Sequence, residues 1–172
     1  MKKPFFALML LFIGTSLVNA QNKDDKWLLT TGPVLSLPNK YLHDFHSFGI
    51  GADFAAIHPI NNGWSAGGRA NYTYFFGKQS SNTSGNTISS HYDATHLFNI
   101  LGDVNYLFEN NLIVGVDLGL GVSLTHTNAD ASFARIIYLA YQVNLKSPVM
   151  FALYFDQTDF QKNFGFRAGF RI

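Results

Sequence analysis

From about residue 27 to residue 172, large apolar residues alternate with small or polar ones, almost without a break. Successive side chains leave a β-strand on opposite sides, so this period of two predicts strands with one greasy face each. The run 112–124 is the clearest. Leu112, Val114, Val116, Leu118, Leu120, Val122 and Leu124 fall on one face, and Ile113, Gly115, Asp117, Gly119, Gly121 and Ser123 on the other. In the run 64–77, Trp64, Ala66, Gly68, Ala70, Tyr72, Tyr74 and Phe76 oppose Ser65, Gly67, Arg69, Asn71, Thr73 and Phe75. The last run sets Phe164, Phe166, Ala168, Phe170 and Ile172 against Gly165, Arg167, Gly169 and Arg171.

Eight such runs are expected as strands: 27–38, 47–58, 64–77, 94–108, 111–124, 132–145, 149–157 and 162–172. Most have the roughly 9–11 residues that a tilted strand needs to cross a bilayer. Between them, short turns rich in Asn, Gly and Pro (59–63, 109–110, 146–148) alternate with mostly longer polar loops (39–46, 78–93, 125–131, 158–161). Short turns at one end and long loops at the other are the asymmetry of an outer-membrane barrel. An even strand count puts both ends of the chain at the short-turn end.

The first 26 residues do not follow the alternation. Lys2 and Lys3 precede an apolar stretch from Phe5 to Leu17, and Val18, Asn19 and Ala20 form a small-x-small cleavage pattern. Residues 1–20 are therefore expected to be a cleaved signal peptide, 21–26 a short N-terminal segment and 27–172 the barrel domain. The chain has no cysteine, so an exported form has neither disulfides nor a cysteine-linked lipid.

Composition decides the medium. Charged residues make up 13% of the 172, against about 25% in ordinary soluble domains. Seventeen Phe and eight Tyr stand beside a mean hydropathy of only +0.06, and past the N-terminus no apolar run approaches the roughly 18 residues of a spanning helix. The non-greasy face is rich in Gly, Ser and Asn and carries Asp53, Arg69, Asn71, Asn99, Asp103, Asn105, Asp117, Asn144, Arg167 and Arg171. Eight strands enclose barely enough space for side chains, so small residues suit the interior and the apolar face is expected to meet lipid. Trp27, Trp64, Tyr72, Tyr74, Phe75, Tyr92, Tyr106, Phe108 and Tyr141 fall near strand ends, as aromatic girdles require. A net charge of +1 gives no sign of nucleic acid as a partner.

On these features the sequence resembles the small eight-stranded outer-membrane barrels, the family of OmpX and the OmpA transmembrane domain. The final strand, Phe164 to Ile172, is similar to a C-terminal assembly signal, although it ends in Ile and carries Arg167 where Gly is usual. The terminal Ile and the long Ser/Asn/Thr loop also resemble barrels of the Bacteroidetes group. The resemblance implies an all-β fold, an eight-stranded antiparallel up-and-down transmembrane β-barrel, and an outer-membrane location with periplasmic termini. The partners it implies are outer-membrane lipid and lipopolysaccharide, and the barrel-assembly machinery during biogenesis.

Three constellations are candidates for chemistry. Asp53, Arg69, Asp103, Asp117 and Arg167 each lie about five residues in from the short-turn end, so they are expected to form one charged layer with Arg171 below it. Isolated charges in so tight a space are costly, which favours a paired plug over an ion path or proton relay. His43, His46, His91, His96 and His126 fall at the loop end as a weak metal or partner site, without the spacing of a metal motif. Leu124, Thr125, His126, Thr127, Asn128 and Ala129 superficially resemble the His-x-Ser region of lipid A deacylases, but Asn128 stands where the hydroxyl is needed. The polar loop 78–93 suits either adhesion and docking or simple solvation. The reading is a non-enzymatic structural or surface-interaction barrel, with no cofactor and an unidentified extracellular or envelope protein as partner. The alternatives are a lipopolysaccharide-modifying enzyme and a soluble barrel holding a small apolar ligand.

Overall fold

The computed structural model describes residues 27–39, 45–82, 88–125, 128–143, 148–158 and 162–172. Ten strands run in chain order: β1 (Leu28–Asn39), β2 (His46–Asn61), β3 (Trp64–Gly77), β4 (Gln79–Asn82), β5 (Ile88–His91), β6 (Thr95–Leu107), β7 (Leu112–Leu124), β8 (Ala129–Val143), β9 (Val149–Gln157) and β10 (Lys162–Arg171). Eight of them close into one antiparallel barrel in the order β1-β10-β9-β8-β7-β6-β3-β2, while β4 and β5 pair as a separate two-stranded ribbon. The up-and-down barrel read from the sequence is present, with its eight strands in the expected places.

One row of paired residues fixes the geometry of closure. It runs from Lys162 through Gln157, Arg135, Leu118, Gly102, Gly68, Ala56 and Leu29. It returns to the far end of β10 at Ile172, the residue after the strand, whose amide donates to the Leu29 carbonyl at 3.1 Å. The return is offset by ten residues (172 − 162). With ordinary strand spacing and rise, that offset tilts eight strands by about 40° to the axis. The lumen is then narrow enough for side chains to fill it.

The two faces separate as the alternation requires. Ile100, Leu120 and Leu153 are 75%, 64% and 65% exposed on the outside, whereas Asp117, Asn99 and Arg69 are within 2% of complete burial inside. Phe75 is the exception among the expected girdle residues. It is fully buried, facing the lumen beside Gly49 and the His46 ring. Its position in the alternation, shared with Thr73 and Arg69, outweighs its aromatic character.

Strand limits differ from expectation where apolar signal is thin. β2 runs on to Asn61, leaving Asn62 and Gly63, at φ 41° and 88°, as the two-residue turn into β3. Positive φ at both positions suits a hairpin turn of the hand that matches strand twist. Pro59 is tolerated inside β2 because β1 pairs no further than Ile57 on that side. β8 begins at Ala129, so part of the expected loop 125–131 is strand, and the Thr125 amide donates to the Asn128 carbonyl at 2.9 Å to close the turn. Within the polar loop 78–93 the β4–β5 ribbon continues the β3–β6 hairpin, with Gln79 opposite His91 and Asn82 opposite Ile88. No apolar alternation marks that ribbon in the sequence. Asn144 and the segments 1–26 and 40–44 lie outside the described residues.

Two tyrosines depend on glycines opposite them. Tyr138 pairs with Gly115 and Tyr154 with Gly165, and a Cβ on either glycine would run into the facing phenol ring. Gly115→Ala is therefore expected to cost about 1–3 kcal/mol by overpacking. Gly68→Ala, whose Cβ would meet only the Leu101 carbonyl at 3.8 Å, is expected to stay within about 0.5 kcal/mol. Urea titration of the refolded barrel, read by gel mobility, checks this. Equal midpoints for the two variants would refute the packing argument.

Candidate functional site

Five charged side chains from five strands meet in the lumen: Asp53 on β2, Arg69 on β3, Asp103 on β6, Asp117 on β7 and Arg167 on β10. Each occupies an inward position of its strand, and strand register brings them to one level. Asp103 and Asp117 are direct cross-strand partners. Two like charges so placed repel each other, and a counter-charge between them is required.

Arg69 supplies it. Its Nη1 lies 2.5 Å from Asp53 Oδ2, its Nη2 2.5 Å from Asp103 Oδ2 and its Nε 3.1 Å from Asp117 Oδ2. One guanidinium thus places a nitrogen on each of three carboxylates from three strands, using the fixed fork that only arginine offers. Arg167 reaches in from β10, with Nη1 3.4 Å from Asp117 Oδ2 and 3.8 Å from Asp53 Oδ1.

The carboxylates are held from the sides as well. Asn105 Nδ2 donates to Asp103 Oδ1 at 2.7 Å, and the Tyr138 hydroxyl donates to the same carboxylate at 3.0 Å. The Tyr138 ring lies under the Arg167 guanidinium, 4.2 Å from Cζ to centroid, and Tyr154 flanks it at 5.9 Å. A cation over an aromatic face gains from the ring quadrupole, most of all where water is excluded. Sequence reasoning missed both tyrosines. The available signal was their place in the inward alternation of β8 and β9.

Arg171 stands apart from the layer. It pairs with Thr30 near the turn end, is exposed, and rims a cavity of about 90 Å³ whose walls include Leu28, Ile57, Ile113 and Tyr138. Asp156 is a further buried carboxylate, on β9, facing Asn163 and Asn99 on the loop side of the layer. It was not picked out from the sequence.

The loop-end histidines do not form one group. His46 is buried, with Nε2 2.9 Å from Thr95 Oγ1. His96 faces outward, with Nδ1 2.9 Å from the Tyr72 hydroxyl and its ring 5.1 Å from that of Tyr74. The barrel wall separates the two. His91 ends β5, and His43 and His126 lie outside the described residues. Among the described residues no three His, Cys, Asp or Glu side chains gather as metal ligands would. For the deacylase-like segment, His126 and Thr127 are likewise outside the described residues, and Ser123 occupies an inward position opposite Asp130.

A closed barrel of eight antiparallel strands, apolar outside and charged within, defines the architectural class of the small outer-membrane barrels. The chain shares its fold with two of them. Ail, the attachment invasion locus protein of Yersinia pestis, aligns with a TM-score of 0.53 at 10% identity over 86% of this chain and 99% of that one. Ail in complex with the heparin analogue sucrose octasulfate aligns at 0.58, with 13% identity over 85% and 97%. Neisserial surface protein A aligns at 0.54, with 13% identity over 85% and 96%. No protein-family model matches the chain, and no curated protein matches it in sequence.

Charge balance ranks the variants of the layer. Arg69→Leu leaves three carboxylates facing one guanidinium and is expected to cost about 3–5 kcal/mol or prevent folding. Asp117→Asn leaves two carboxylates for two guanidiniums and is expected to cost clearly less. Urea midpoints of the refolded barrels test the order. If Arg69→Leu unfolds no more readily than Asp117→Asn, the counter-charge assignment fails.

Proposed function

We propose that the protein is an integral outer-membrane barrel with a non-enzymatic structural or surface-interaction role. Residues 1–20 direct export and are removed, 21–26 lead into the barrel 27–172, and both ends of the mature chain lie in the periplasm. The observation that carries this reading is the inversion of the two faces. Leu37, Ile100, Leu120, Leu153 and Phe164 are more than half exposed on the outer wall, while Arg69 and three aspartates fill the middle. In water such a wall is an aggregation surface; in lipid it is what a spanning strand requires.

The charged layer acts as a plug. It occupies the lumen with matched groups, fixes strand register and leaves no path for ions, so activity falls to the outer rim. There the β4–β5 ribbon and the other loops present a surface for an extracellular or envelope protein. The likeness to Ail, whose structure was determined with a heparin analogue bound, and to Neisserial surface protein A supports a surface role. Outer-membrane lipid and lipopolysaccharide surround the wall, and the barrel-assembly machinery inserts it.

Fractionation of expressing cells, with membrane samples run on SDS gels before and after boiling, tests the location. A band in the outer-membrane fraction whose mobility shifts on boiling is expected; a soluble protein with no shift overturns the reading. Removal of residues 79–91 is then expected to preserve the shift while lowering adherence of the cells to surfaces or other cells several-fold. Unchanged adherence would sink the docking role of the ribbon and leave the structural one.

A further inference from the structure

On the outward face of the eight barrel strands, the described residues include two Arg or Lys side chains and no Asp or Glu. They are Arg135 on β8 and Lys162 on β10. Both belong to one hydrogen-bonded row, with Gln157 of β9 paired to each of them. They stand two strand spacings apart, about 10 Å. Among the described residues neither carries an ion-pair partner.

The row caps two of its three strands: β9 ends at Gln157 and β10 begins at Lys162, while β8 continues above Arg135 to Ala129 and sets Phe133 outward over it. Strand tilt makes it descend by about 3 Å per strand, which sets the Arg135 backbone about 6 Å deeper than that of Lys162. A long arginine stem lies along apolar surface and lifts its charge to the lysine's level. A cation on a lipid-facing wall is costly unless an anion meets it, and the cost rises with depth.

The next outward row down is wholly apolar: Ile137, Phe155, Phe164 and Leu37 are cross-strand neighbours in that order. The Phe155 and Phe164 rings pack with centroids 4.9 Å apart, and Phe164 remains 53% exposed. A pair of cations with an amide between them, standing directly above an aromatic shelf, matches a molecule with a multiply anionic head and hydrocarbon tails. Guanidinium, ammonium and amide N–H are all donors to phosphate oxygens.

We propose that Arg135, Gln157 and Lys162 form a docking site for the phosphorylated headgroup of an outer-leaflet lipid, whose acyl chains lie against Ile137, Phe155 and Phe164. The proposal rests on the outer-membrane reading above and adds a defined lipid contact to it.

The test uses the full barrel refolded in zwitterionic micelles, with bisphosphorylated lipid A and its dephosphorylated form as probes. Native mass spectrometry counts bound lipid, and the temperature of the gel-mobility shift reports stabilisation. The native barrel is expected to retain bisphosphorylated lipid A and to gain several degrees, and to gain little from the dephosphorylated form. Arg135→Gln/Lys162→Gln is expected to lose at least fivefold in retention, whereas Arg135→Lys/Lys162→Arg keeps most of it. Both variants keep the boiling shift, so loss of binding is separable from loss of fold. Equal retention by the native and the doubly neutralised barrel, or equal retention of the two lipids, overturns the site. Absence from the outer-membrane fraction overturns the location itself, which fractionation reads independently.

Discussion

The contact of Arg69 with three aspartates is the interaction on which the interior depends. Asp103 and Asp117 face each other across neighbouring strands, and Asp53 approaches from β2. Without the guanidinium, these groups would share a space from which water is excluded, where unpaired charge costs several kcal/mol. With it, strands β2, β3, β6 and β7 are tied at one height, and Arg167 extends the tie to β10. A slip of one residue in any of these strands would turn its charge outward and its apolar row into the lumen. The layer therefore enforces register as well as filling space.

Filling that space constrains residues that carry no charge. A lumen this narrow cannot hold the layer and two tyrosine rings beside bulky neighbours, which accounts for Gly115 and Gly165 opposite Tyr138 and Tyr154. The same rings complete the layer, Tyr138 by donating to Asp103 and by lying under Arg167. Backbone demands follow a parallel logic. Closure pairs every wall strand on both sides, so the barrel presents no open edge to hydrocarbon, where unpaired amides are intolerable.

Most of this architecture was legible in the sequence because one physical contrast, an apolar outer wall and a packed lumen inside, is written at every second residue. The runs at 64–77 and 112–124 match β3 and β7 to within a residue, and the inward parity of Asp53, Arg69, Asp103, Asp117 and Arg167 followed from the same alternation. What escaped notice lacked that contrast. The ribbon strands Gln79–Asn82 and Ile88–His91 carry no apolar face, and Ala129 to Ala131 offer no large apolar residue to announce the start of β8. Phe75 was misplaced by weighting residue type over parity. The outer row of Arg135, Gln157 and Lys162 needed the pairing register between neighbouring strands, which alternation within a strand does not encode.

The filled lumen also limits where the protein can act. In the plug proposed above, three carboxylates and two guanidiniums in mutual contact at the centre of the barrel close that level to water, in contrast to wide porins whose lumen stays wet. Two kinds of surface remain for chemistry with other molecules: the ends of the barrel and its lipid-facing wall. On the wall, the apolar rows serve any membrane alike, so selectivity for one lipid requires a departure from them. Arg135 and Lys162 are that departure, and in the site proposed above their single row, which caps β9 and β10, is where a lipid headgroup is recognised. At the loop end, the proposed orientation sets the polar ribbon beyond the headgroups, where only molecules outside the membrane reach it. The division follows from physics: a charge inside must be paired within the chain, whereas a charge on the rim is free to seek its partner in lipid.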